Sequence, residues 1–159
     1  MLGSLVFLVI APGVVAGLIP AAISGWEGDA PFALQLVGWI ALTAGVVALL
    51  VAFARFALEG LGTPAPVAPT ERLVVSGSYR HVRNPMYLAV VAIILGQAAI
   101  LGNGWLVVYA AVVWATVAVF VLAYEEPTLA ATYGPAYHAY RAAVPAWIPR
   151  LRPWEGESA

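Results

Sequence analysis

Cysteine is absent from the 159 residues of this chain, and charge is scarce. Without cysteine the protein has no disulfide, no thiolate metal ligand and no cysteine nucleophile. Charged residues make up 9% of the chain, against roughly 25% in ordinary soluble domains, whereas hydrophobic residues make up 63%. A soluble fold of this size could not bury so much apolar surface, so lipid must be the solvent for much of it. The net charge of −1 argues against nucleic acid as a partner.

Four apolar stretches are long enough for membrane helices, which need about 20 residues and at least about 17. The first stretch lacks the basic start of a signal peptide and exceeds the length of a signal core, so a retained span is favoured over a signal peptide. The pattern predicts an all-α, polytopic membrane helix bundle of about four transmembrane helices in one domain, residues 1–159. The predicted spans are 2–23, 32–58, 85–101 and 104–124, with a loop at 60–84 and a tail at 125–159.

Lysine is also absent, and the arginines indicate the orientation of the bundle. With four spans, every arginine falls on one side of the membrane, together with both termini. The positive-inside rule places that side in the cytoplasm. We therefore expect a multi-pass protein of a bacterial-type inner (cell) membrane with cytoplasmic termini. The arginines are Arg55, Arg72, Arg80, Arg83, Arg141, Arg150 and Arg152.

The start of the third span is a candidate anion site. Asn84 is a good helix N-cap and Pro85 suits the first helical position. The positive end of the helix dipole would then lie beside Arg80 and Arg83, as in helix N-termini that bind anions. A capped helix whose arginines reach lipid phosphates would give the same pattern without a ligand.

The end of the fourth span carries two adjacent carboxylates, Glu125 and Glu126. They crowd the negative end of a helix dipole at the membrane boundary, where ionisable groups are functional candidates. Alternatively, both carboxylates reach water and mark the end of the span. A tight turn at Gly102 makes the third and fourth spans a hairpin with arms of similar length, so Asn84-Pro85 and the two glutamates should lie side by side.

That juxtaposition would match a zwitterionic ligand such as S-adenosylmethionine, with its carboxylate, ammonium and sulfonium. Arginines of the protein pairing with the glutamates would satisfy the same electrostatics without a ligand. Spacing alone does not separate the two.

Three sequence segments resemble the isoprenylcysteine carboxyl methyltransferase family, and membrane phospholipid N-methyltransferases share the broader pattern. Gly77-Ser78-Tyr79-Arg80-His81-Val82-Arg83-Asn84-Pro85-Met86-Tyr87-Leu88 resembles its Arg-His-Pro-x-Tyr segment, and Glu125-Glu126 its paired glutamates. The third segment, Tyr133-Gly134-Pro135-Ala136-Tyr137-His138-Ala139-Tyr140, is similar to its Phe-Gly-x-x-Tyr-x-x-Tyr tail, followed by Val144-Pro145 and Ile148-Pro149-Arg150. The resemblance covers about residues 73–150.

The resemblance implies a cytoplasmic pocket for S-adenosylmethionine, formed by the last hairpin and the C-terminal tail, without a metal. The implied catalytic residues are Arg83, Asn84, Glu125 and Glu126. The implied cofactor-binding residues are Leu73, Val74, Gly77, Tyr79, Arg83, Asn84, Pro85, Tyr87, Glu125 and Glu126, and the implied substrate-binding residues are Tyr137, Tyr140 and Arg141. Asn84 stands where the family most often has His, and asparagine cannot act as a base. Ala146 stands where a basic residue often follows Val-Pro.

The function we expect is methyl transfer to a lipidic or membrane-soluble acceptor that is already nucleophilic, such as a carboxylate or thiolate. One alternative is phospholipid N-methylation, which needs a base to deprotonate an ammonium group. The other is a membrane scaffold or transporter subunit without enzymatic activity. The adjacent glutamates favour the enzyme, because a scaffold has no need of them.

Overall fold

The structure, a computed structural model, describes residues 10–59 and 73–156. These residues form five helices and no strand, which confirms the predicted all-α class for the described part of the chain. The third helix has the bounds that were predicted for the third span. The helices are α1 (Ile10–Ser24), α2 (Phe32–Glu59), α3 (Pro85–Leu101), α4 (Gly104–Tyr133) and α5 (Pro135–Ala143), and a 3₁₀ turn (Gly77–Arg80) precedes α3.

Two stretches of helix have the length and apolar composition of a membrane span, Phe32–Arg55 in α2 and Gly104–Tyr133, which is the whole of α4. Helices α1 and α3 are apolar but shorter, and residues 2–9 of the first predicted span lie outside the described residues. Large apolar side chains cover the outer faces of α2 and α4, including Trp39, Ile40 and Leu122. A soluble monomer rarely exposes such a continuous apolar surface, so this one is suited to lipid.

Helix α1 docks onto the α3–α4 hairpin through two polar side chains. Its middle is a π turn, Val14–Leu18, and two carbonyl groups of this turn accept hydrogen bonds from outside the helix. The Gln97 amide donates to the Ala16 carbonyl over 2.7 Å, and the Tyr109 hydroxyl donates to the Val15 carbonyl over 2.9 Å. Such contacts position a helix where no water is present to compete for the backbone.

Helices α2 and α3 approach so closely that their backbones touch at glycine. A Cβ added to Gly96 would lie 2.7 Å from the backbone nitrogen of Leu42, and one added to Gly38 would lie 2.6 Å from the Gly96 carbonyl oxygen. Small residues permit this approach and are typical of helix contacts in membranes. This contact holds the middle of α3, which lies at least one helical turn away from the polar residues at the start of the helix.

The α3–α4 hairpin turns tightly, as predicted. Gly102 takes the left-handed conformation with φ 64°, and the Asn103 side chain accepts a hydrogen bond of 3.0 Å from the Trp105 backbone. Helix α4 differs from the prediction, because it continues beyond Tyr124 through a π turn (Val121–Glu125) and ends at Tyr133. The adjacent Glu125 and Glu126 suggested that the helix ends there. The helix instead continues, and both carboxylates have hydrogen-bond partners.

Candidate functional site

The first turn of α3 and the π turn of α4 lie side by side and exchange polar contacts. The Tyr87 hydroxyl donates to Oε2 of Glu125 over 3.0 Å. The Arg83 guanidinium donates to Oε1 of Glu126 over 2.5 Å. The hairpin therefore brings the predicted cationic and acidic groups together.

Glu126 is the centre of an ion cluster that joins three elements. Only 4% of this residue is exposed, and its second oxygen, Oε2, pairs with Nη2 of Arg141 from α5 over 3.1 Å. Arg83 also donates to the Tyr137 hydroxyl over 3.2 Å, so the same guanidinium contacts both α4 and α5. Arg141 itself is half exposed. The cluster fixes α5 across the open end of the hairpin.

Asn84 occupies the predicted N-cap position of α3, but its side chain makes no capping hydrogen bond, so the position was predicted correctly and the capping contact was not. The side-chain nitrogen instead donates to the Ala146 carbonyl over 3.1 Å, and the residue is only 6% exposed. The backbone N–H of Arg83 donates to the Pro145 carbonyl over 2.9 Å. A distant part of the chain therefore binds the side chain that local sequence would assign to capping the helix start.

That distant part is the C-terminal segment, residues 145–154, which runs along the residues preceding α3. Arg150 and His81 are joined twice, by the Arg150 N–H to the His81 carbonyl at 2.9 Å and by His81 Nδ1 to the Arg150 carbonyl at 2.8 Å. Since a carbonyl oxygen only accepts, Nδ1 of His81 carries a proton. Arg80 and Trp154 are also paired twice, through the backbone and through Nε of Arg80.

The segment before the 3₁₀ turn supplies apolar packing. Leu73 packs with Tyr137 and Tyr140, whereas Val74 and Tyr79 pack against Ala52 of α2. The Tyr140 hydroxyl donates to the Tyr79 carbonyl over 2.7 Å. Burial raises the pKa of the Tyr140 phenol, so the group stays neutral and remains a donor.

The backbone conformation of Gly77 and a nearby arginine side chain both favour glycine at this position. Its φ of 54° favours glycine, and an added Cβ would lie 3.3 Å from Nε of Arg55 at the end of α2. Two polar atoms nearby in sequence, Ser78 Oγ and Arg83 Nε, are buried without a hydrogen-bond partner among the described residues. A polar ligand could satisfy such atoms.

The predicted site residues therefore separate into three sets. The first set consists of two hydrogen-bonded groups that meet at the adjacent glutamates. One group is the pair Tyr87 and Glu125, and the other contains Arg83, Glu126, Tyr137 and Arg141. Asn84 and Pro85 lie at the helix start, with Asn84 bound to the C-terminal segment. Leu73, Val74, Gly77, Tyr79 and Tyr140 form the packed support.

Sequence reasoning missed the role of the C-terminal segment and of Arg55. The prolines at 145, 149 and 153 were the available signal, because proline disfavours helix and leaves carbonyl groups free to accept. Nothing local connects Arg55 with Gly77, since they belong to separate elements.

The comparison with protein families places this polar centre in a known context. A family model described as phospholipid methyltransferase matches residues 34–136, which is more than half of the chain. The match includes α3 and the two glutamates and stops just before Tyr137. A comparison with curated proteins found no match.

Proposed function

We propose, because this chain belongs to the phospholipid methyltransferase family, that it transfers a methyl group from S-adenosylmethionine to an acceptor dissolved in the lipid bilayer. The observation that carries this proposal is the convergence of Arg83, Tyr87, Glu125 and Glu126 at the open end of one apolar hairpin. Charged groups clustered beside a membrane span are energetically costly, so such a cluster is a candidate functional site. The family match supports methyl transfer as the function of this site.

The chemistry of these side chains fits the cofactor. Glu125 has an oxygen that is bound to no described residue and can accept from an ammonium group. Arg83 Nε and Ser78 Oγ are buried donors without partners, suited to a carboxylate. S-adenosylmethionine supplies a methyl group on a cationic sulfur, which a nucleophile can displace directly. The protein then has to orient the two reactants and exclude water.

The acceptor that suits this site best is already a nucleophile at neutral pH, such as a carboxylate or a thiolate. Deprotonating an ammonium headgroup requires a positioned base. Asn84, where the related families most often have His, has no basic group and is bound to Ala146. Arg141, half exposed at the edge of the cluster, could orient an anionic acceptor.

Phospholipid N-methylation is the second candidate, and the description of the matching family favours it. Glu125 would then have to accept the proton of the headgroup. The two candidates differ in the acceptor that becomes labelled. Purified protein in lipid nanodiscs, given S-adenosylmethionine with a labelled methyl group, should methylate lipid-soluble acids or thiols. Labelling of phosphatidylethanolamine alone would establish the second candidate. No labelling, together with no heat of cofactor binding in calorimetry, would favour a scaffold.

The proposed site requires a defined orientation. We propose that the chain crosses the membrane four times, with both termini and the polar end of the α3–α4 hairpin in the cytoplasm. The distribution of arginine supports this arrangement. Reporter fusions after Ala159 and within residues 24–31 should report the cytoplasm and the opposite side, respectively. A C-terminal reporter on the outside would contradict the orientation and would separate the site from its cytoplasmic cofactor.

A further inference from the structure

We infer that the two adjacent glutamates have separate tasks: Glu125 is the carboxylate that meets the cationic part of the cofactor, and Glu126 is a positioning residue that holds Arg83 and Arg141 around it. The inference rests on the proposed function and assigns roles within the same site. Its basis is the distribution of partners and charge across the two side chains.

Glu126 is enclosed by its arginine partners. Its two oxygens are each paired with an arginine, Oε1 with Arg83 at 2.5 Å and Oε2 with Arg141 at 3.1 Å, and the residue is 4% exposed. Its charge is therefore already compensated, and its burial leaves little access for a further ammonium group. Glu126 is therefore suited to hold the arginines and not to bind the cofactor directly.

Glu125 is in the opposite situation. Its only hydrogen bond from a described residue comes from the Tyr87 hydroxyl, which is a neutral donor, and it pairs with no described cation. Tyr87 therefore orients this carboxyl group, and no described cation pairs with it. A cation placed beside the other oxygen would give the carboxylate a partner of opposite charge.

The charges then form a pattern that matches the amino-acid end of S-adenosylmethionine. Arg83, Glu126 and Arg141 together carry one positive charge in excess, and a cation beside Glu125 would favour the negatively charged form of that carboxyl group. The buried Nε of Arg83 is a donor without a partner on the positive side. The cofactor's carboxylate would face the arginines and its ammonium would face Glu125, so Glu126 acts on the cofactor through Arg83 and Arg141.

The test compares Glu125→Gln, Glu126→Gln and Arg141→Gln in purified protein with two probes, S-adenosylmethionine and its decarboxylated analogue, which keeps the ammonium and sulfonium groups. Binding is measured by calorimetry and folding by the midpoint of thermal unfolding in detergent. Glu125→Gln should weaken both probes by about ten- to a hundredfold without lowering the midpoint. The ratio of the two affinities should stay unchanged, because the contact with the carboxylate remains.

Glu126→Gln should lower the unfolding midpoint and reduce the preference for S-adenosylmethionine over the decarboxylated probe. Arg141→Gln should reduce that preference as well, and Arg141→Lys should restore part of it because the charge returns. The double variant Glu126→Gln/Arg83→Gln should recover part of the midpoint, since it removes the more buried of the two cations that the single variant leaves without a carboxylate partner.

Two results would overturn the assignment. One is normal binding of both probes by Glu125→Gln, when the unmodified protein binds them. The other is a loss of binding in Glu126→Gln with an unchanged midpoint and an unchanged preference. Failure of the unmodified protein to bind either probe would instead overturn the proposed function.

Discussion

Along its middle, α3 contacts α2 through glycine backbones, whereas at its start the chain contacts α4 and α5 through charged and hydrogen-bonding side chains. The first contact places a Cβ on Gly96 only 2.7 Å from the Leu42 backbone. The second joins Arg83, Glu126 and Arg141 by ion pairs. The contact between glycine backbones does not tolerate added side-chain volume and contains no reactive groups. The polar contact tolerates small changes in side-chain volume but depends on the charges of its residues. The apolar contact can therefore support the helix independently of the charged groups at its start.

The largest effect should follow from filling the glycine contact. Gly96→Leu should prevent folding, because its branched side chain has to displace backbone atoms of α2 that cannot move independently. The measurement is the yield of monodisperse protein after extraction in mild detergent. Gly104→Ala is the matched control, since an added Cβ there meets nothing within 4 Å, and its yield should be normal. A monodisperse Gly96→Leu protein with an unchanged unfolding midpoint would contradict the close packing.

A smaller but substantial effect should follow from breaking the ion cluster. Arg83→Gln leaves the buried Glu126 with only the half-exposed Arg141, so we expect a loss of about 3 kcal/mol in the free energy of unfolding, the lower end for breaking a buried ion pair. Thermal or denaturant unfolding in detergent would measure it. Arg152→Gln, at an exposed position, serves as the control and should change little. If both variants unfold alike, Arg83 does not stabilise the polar end.

The smallest effect should follow from releasing the C-terminal segment at one point. Asn84→Ala removes the hydrogen bond to the Ala146 carbonyl and should cost about 1 kcal/mol. Asn84→Asp should cost more, because a carboxylate oxygen would then face the carbonyl oxygen. Unfolding midpoints of the two variants give the comparison. Equal stability of Asn84→Asp and the unmodified protein would show that the side-chain nitrogen is not the group that faces Ala146.

Local sequence signals determined much of the helical framework. Asn84-Pro85 and Gly102 mark the ends of α3, because proline suits the first helical position and glycine tolerates the left-handed conformation. The apolar composition and the hairpin spacing also determined that the Arg83 end of α3 and the two glutamates would meet. Each of these signals depends on a few neighbouring residues, so it can be read without knowledge of the rest of the chain.

Only the tertiary structure decided which groups pair within that region. Asn84 binds Ala146 instead of capping α3, α4 continues through Glu125 to Tyr133, and Arg141 pairs with Glu126. The physical reason is that a buried polar group takes the best partner available in three dimensions, and that partner can lie more than 60 residues away in the chain, as Ala146 does from Asn84. The sequence by itself therefore determined the helices and the meeting of opposite charges, while the folded chain decided which carboxylate is enclosed by arginines and which is bound by a tyrosine.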